Sequence, residues 1–279
     1  MELDEIECVG FILVFNKSYY EESIYKFDEL IKLTTKKSLC IVISNNPNLQ
    51  KPVDFDGAFL SGDNSSYEFS GWQKGLEHFM RRNHSKNVKA YIFANDTFCH
   101  HHKYNFVKRK MYADAFKKLI RNHEAPVLAG RITSFGQSFS INDVTLNEWV
   151  STYIFGITQQ AMRSIEYNIC PRDKELEKYF GTMENEDCFF SDGMNSALKT
   201  HLTSWLFGGE GLKPPWYKSE PLNDINRDGF AKKSRSILRE KLLTANVCKR
   251  GGKIQPITLP IYIRLINRIK FELLKSYSK

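Results

Sequence analysis

The run Tyr91-Ile92-Phe93-Ala94-Asn95-Asp96-Thr97 decides how this chain is read. Its apolar part, from Ala90 to Ala94, predicts a buried strand, and the Asn-Asp pair that ends it is turn chemistry. In an open α/β sheet, ligands sit outside the carboxyl ends of the strands. Asp96 is therefore a candidate for contact with a metal or a phosphate. Cys99 and His100-His101-His102 follow at once. Joined to Asp96, the histidines would make a hydrolytic metal centre; otherwise they form a solvated loop.

Outward from this stretch the pattern alternates. Residues 8–15 are almost wholly apolar, as in a parallel strand buried on both faces. Ile24, Phe27, Leu30, Ile31 and Thr34 then recur at helical spacing. Residues 39–43 predict a second strand that stops at Ser44-Asn45-Asn46-Pro47, and residues 55–61 a weaker one. Behind the polar loop Gly62-Asp63-Asn64-Ser65-Ser66, the residues Phe69, Trp72, Leu76 and Phe79 mark another helix. This order predicts an α/β fold with a mostly parallel sheet and helices on both faces. Further helices are expected over 107–122, 158–165, 192–202 and 232–246, and strands over 126–130 and 149–157. Neither the P-loop nor the dinucleotide fingerprint is present, which argues against a P-loop enzyme and a simple dehydrogenase.

With 279 residues, 42% of them hydrophobic, the chain can bury a large core in one domain, or one domain plus an extension. The net charge of +8 suits an anionic partner: nucleic acid, a membrane surface or a phosphorylated ligand. The basic residues are spread among acids and no recognition motif is evident, which argues against nucleic acid. Six scattered cysteines without a C-x-x-C pair fit reduced thiols in a cytoplasm. The acidic start predicts no export signal, and the absence of an uncharged apolar window of ~18 residues predicts no spanning helix. At the other end, Tyr262, Leu265, Ile266, Ile269, Leu273 and Leu274 oppose Arg264, Arg268, Glu272 and Lys275. Such a tail suits an anionic membrane surface and suggests a peripheral position on the inner face of the cell membrane.

Several stretches together resemble a GT-A-type glycosyltransferase of bacterial surface polysaccharide biosynthesis (O-antigen or capsule, rhamnan-synthesis-like). They are residues 9–15, the block from Asp63 to Leu76, Ala94-Asn95-Asp96-Thr97, residues 151–156, and residues 232–241 after Trp216-Tyr217. They occur in the right order across most of the chain, and the block from Asp63 to Leu76 is the most specific. The resemblance implies a GT-A, Rossmann-like catalytic domain over 1–215, with a nucleotide-sugar half over 1–100 and an acceptor half over 101–215. A helical C-terminal extension over 216–279 would carry the basic tail. The implied activity is transfer of a sugar, with inversion, from a UDP-, TDP- or GDP-linked donor to a lipid-linked or polysaccharide acceptor.

The resemblance also implies roles for single residues. Phe15, Asn16 and Asn45 would border the nucleotide base, and Asp63 and Asn64 the base or ribose. Gly71, Trp72, Lys74 and Asn95 would complete the donor site. The pair Asn95-Asp96 stands where the family has a D-x-D-like motif, so Asp96 would hold Mn2+ or Mg2+; the amide of Asn95 departs from that pattern. Glu186-Asp187 resembles an E-D base motif, and Asp192 is a competing acid. The chemistry needs such groups. Negative charge grows on the departing diphosphate, where a cation stabilises it, and the acceptor hydroxyl must lose a proton to a base. A metal hydrolase built on Asp96 and His100-His102, and a basic nucleic-acid-binding protein, are the alternatives.

Overall fold

The computed structural model describes residues 5–82, 87–101, 104–209 and 215–258. A seven-stranded sheet is flanked by helices. Its strands are β1 (Cys8–Val14), β2 (Ser38–Ser44), β3 (Ala58–Ser61), β4 (Ala90–Asn95), β5 (Val127–Thr133), β8 (Trp149–Thr158) and β9 (Lys253–Pro256), in the order β3-β2-β1-β4-β8-β5-β9. A hairpin of β6 (Phe139–Ile141) and β7 (Val144–Leu146) stands apart.

Strands β1 to β4 pair in parallel, and β9 is parallel to β5. Strand β8 runs antiparallel to both its neighbours, β4 and β5. The link from β5 to β8 carries the β6–β7 hairpin and no helix, so it lacks the crossover that a parallel return requires. The segment over 134–147 thus sets the direction of β8. That reversal brings the first residues of β8 beside the carboxyl ends of β4 and β5.

Alternation along β1 feeds both faces. Cys8, Ile12 and Val14 pack with α1 (Tyr20–Thr34) and α4 (Phe106–Arg121). Val9, Phe11 and Leu13 pack with α2 (Glu68–Arg82), α5 (Gln159–Ser164) and the later part of α8 (Arg227–Lys249). A third apolar cluster joins the β6–β7 hairpin, α6 (Asp173–Leu176), α7 (Ser196–Phe207) and the middle of α8. The short helix α3 (Thr97–His100) follows β4 directly.

The expected boundary at 215/216 does not separate two structures. Leu238, Leu242, Leu243 and Val247 of α8 are buried, and β9 adds a strand to the sheet. Residues 227–256 therefore belong to the α/β core rather than to an appended extension. The amphipathic tail after Pro260 lies outside the described residues. Among the described residues no helix is long and apolar enough to cross a membrane.

Candidate active site

The ends of β1 and β4 are tied together by Asp96. Its Oδ2 accepts the backbone N–H groups of Phe15 and Asn16, each at 2.8 Å. Its own N–H donates to Leu13 O at 2.9 Å. Asp96 stands at the N-cap of α3, yet its side chain makes no capping bond there; it reaches back to β1 instead. Burial raises its pKa, and the two N–H donors and the charges of His101 and His100 pull the other way. Phe15 is 51% exposed, and Asn46 Nδ2 donates to its carbonyl at 2.8 Å. Asn16 is exposed beside it. Phe15, Asn16, Asn95 and Asp96 thus meet at one edge of the sheet, at the strand ends.

The expected metal role of Asp96 finds no supporting ligand group among the described residues. One oxygen serves two backbone donors, and Asn95 Oδ1 is engaged by the hydroxyl and N–H of Thr97. The His100 ring stacks on Tyr19 at 4.1 Å, and His102 lies outside the described residues. Among the described residues no group of three or more His, Cys, Asp or Glu side chains could hold a metal ion. Among the described residues, a single carboxylate already bonded to two backbone donors does not make a donor set for a divalent cation. Among the described residues the metal-hydrolase alternative has no ligand set either.

Four other expected contacts are structural. Trp72 is fully buried, and its indole N–H donates to Ala94 O at 2.9 Å. Gly71 lets α2 approach β1: a Cβ there would lie 2.2 Å from Leu13 Cδ1. Asn45 is buried and gives its amide N–H groups to Asn64 Oδ1 at 3.3 Å and Tyr67 O at 2.8 Å, so it holds the loop before α2. Asn64 is held in turn by Lys232 Nζ, 2.6 Å from its carbonyl oxygen. Asp63 accepts from Ser65 N and Oγ, which lowers its pKa. It lines a separate cavity of about 970 Å³, with Lys74 and Arg239. The sequence placed these residues in one site; the fold divides them.

The acids expected to act as base are displaced as well. Asp187 is exposed, and Asp192 is fully exposed and paired with Lys199 at 2.9 Å. Both line a small hollow with Thr182 and Cys188. Glu186 accepts the N–H of Leu222 at 3.1 Å and so fastens a loop. All three lie on the segment between α6 and α7, and none lines the cavity described next.

That cavity, of about 580 Å³, opens at the carboxyl edge of the parallel strands. Asn95 and Thr133 line it from the ends of β4 and β5, and Trp149, Thr152 and Tyr153 from the reversed β8. Helix α7 contributes His201 and Trp205, and α8 contributes Lys233, Ser236, Glu240 and Lys241. Two carboxyl groups face it. Glu240 is pinned: its Oε1 accepts the indole N–H of Trp149 at 2.6 Å, and its Oε2 accepts Thr152 N and Oγ1, each at 2.9 Å. Glu68 is different. Burial raises its pKa first of all, and the charge of Glu240 adds to the rise. Lys233, its own backbone N–H and Ser236 oppose it.

Glu68 reaches the cavity because the turn before α2 is strained. Asn64 and Tyr67 have φ of 53° and 52°, a region unfavourable for side chains with a Cβ. Asn45 and Lys232 hold that turn from both sides, and the Lys232 ammonium lies 4.8 Å from the Tyr67 ring centroid. Glu68 and Glu240 were not singled out from the sequence. A glutamate in the first turn of a helix reads as a partner of the macrodipole, and Glu240 reads as a solvent-facing member of a charged helix. The available signals were the positions of Glu68 inside the block from Asp63 to Leu76 and of Glu240 inside residues 232–241. No protein-family model matches the chain, and no curated protein matches it significantly.

Proposed function

We propose that the chain is a GT-A-type glycosyltransferase that moves a sugar from a nucleoside diphosphate to a lipid-linked or polysaccharide acceptor. One observation carries this reading: a polar and aromatic cavity at the carboxyl edge of the parallel strands, beside the exposed ends of β1 and β4. That edge is where open α/β sheets receive ligands, and the volume of the cavity suits a small-molecule site. Trp149, Tyr153, Trp205 and Tyr217 give the lining the aromatic surface that a sugar's C–H groups pack against. Lys233 and Lys241 supply fixed positive charge near the place where negative charge would grow on the departing diphosphate.

Calorimetric titration of the folded protein with UDP, TDP and GDP tests the reading. One nucleotide is expected to bind, with a clear preference over the others. A folded protein that binds none of them overturns it.

A further inference from the structure

We propose that Glu68 is the catalytic base of the cavity, and that Glu240 is the fixed carboxylate beside which it works. This assignment rests on the transferase reading, and it departs from the acids that the resemblance implied. The geometry separates the two carboxyl groups by role. Glu240 receives three hydrogen bonds, from the Trp149 indole, the Thr152 N–H and the Thr152 hydroxyl. A carboxyl group held in this way is fixed in place and cannot turn toward a substrate. Glu68 lines the same cavity at the start of α2 and retains part of its surface there.

The groups around Glu68 come from every wall. Helix α8 presents Lys233, Ser236, Glu240 and Lys241, α7 presents His201, and Tyr217 stands at the rim. Burial raises the pKa of Glu68, the neighbouring Glu240 adds to the rise, and Lys233 opposes it. Of two carboxyls on one cavity, Glu240 is pinned by three donors, and Glu68 is the one placed to meet a substrate. Glu68 is the member that can take a proton and release it again.

In the step proposed, a lone pair of the acceptor oxygen attacks the anomeric carbon. The bond from that carbon to the diphosphate oxygen breaks, and its electron pair leaves with the nucleoside diphosphate. The acceptor O–H proton passes to a Glu68 carboxylate oxygen and is later lost to water. No oxidant or further reactant is needed.

The test compares wild type with Glu68→Gln, which keeps the shape and removes the base. The first readout is nucleotide release from a panel of UDP-, TDP- and GDP-sugars with water as acceptor, followed across pH. The second is calorimetric binding of UDP, TDP and GDP. The third is infrared difference titration of the carboxyl groups of the whole protein. In wild type the release rate is expected to rise along a limb above the ordinary carboxylate range. In Glu68→Gln that limb disappears and the rate falls by about 10²-fold or more, while nucleotide binding stays within about twofold and one high-titrating carboxyl band is lost. A Glu68→Gln protein that keeps both rate and limb, or a wild type without that high-titrating band, overturns the assignment of Glu68 alone. Failure of wild type to bind any nucleotide overturns the transferase reading, and the base assignment falls with it.

Discussion

Asp96 Oδ2 lies 2.8 Å from the backbone nitrogen of Phe15 and accepts its proton. A second bond, to Asn16 N, makes the carboxylate a clasp between the ends of β4 and β1. Removing it in Asp96→Ala leaves both donors without that acceptor, at a cost of about 2 kcal/mol. Asp96→Asn keeps one acceptor oxygen and should lose less. Urea unfolding of the three proteins checks the order. Adding Mn2+ should leave the midpoint of wild type unchanged; a metal-dependent rise that Asp96→Ala abolishes would restore the metal role.

Trp72 and Gly71 act through packing. Trp72→Phe gives up the bond to Ala94 O and part of the ring contact with Phe93 and Phe155, and should cost about 1–2 kcal/mol. Gly71→Ala drives a Cβ against Leu13 and should cost about 1–3 kcal/mol. Nucleotide affinity, measured where both variants remain folded, should be close to that of wild type. A selective loss of affinity without loss of stability would return Trp72 to the site.

Glu68 predicts a stability change of defined sign. Its pKa is raised in the folded state, so the folded protein favours the protonated form. The stability of wild type is complete below the ordinary carboxylate range and declines as pH rises through the raised value. Glu68→Gln lacks this decline. Its advantage in Tm over wild type should therefore be absent at acid pH, grow through that window and level off above it. Calorimetric scans at several pH values read this directly. A lower Tm for Glu68→Gln at neutral pH would contradict the burial argument. Exchanging stability for a charged group in a cavity is common where the group has work to do.

Glu240→Gln sets an amide N–H2 against donors that now meet a carboxylate. We expect a loss of about 1–3 kcal/mol and, because the neighbouring charge is gone, a downward shift in the titration of Glu68. Infrared titration of the carboxyl band measures the second effect, which a purely structural role for Glu240 would not produce.

Truncation after residue 215 removes α8 and β9. The face of the sheet that covers Leu243 and Val247, and the cluster around Leu238 and Leu242, would be opened to water. The fragment is expected to show no cooperative thermal transition. A sharp transition in residues 1–215 would mean that the earlier part folds without its last helix.

What the chain announced locally, the fold kept. The strands of the parallel half are continuous apolar runs, and the helices between them repeat at their own period, because burial on a sheet or a helix face is written in neighbouring residues. For the same reason Asn95 and Asp96 were legible at a strand end. Tertiary structure alone decided the rest. Strand β8 reversed because a hairpin, with no periodic signal strong enough to read, replaced a crossover helix. The indole of Trp72 and the carboxylate of Asp96 were spent on backbone groups that no local pattern places near them. The pairing across the cavity is the clearest case. Glu68 begins α2 and Glu240 lies within α8, far apart in the chain, and each alone is an ordinary helix glutamate. Only the strained turn at Tyr67 and the packing of α8 on β8 bring them into one low-dielectric space, where the charge of one alters the proton affinity of the other.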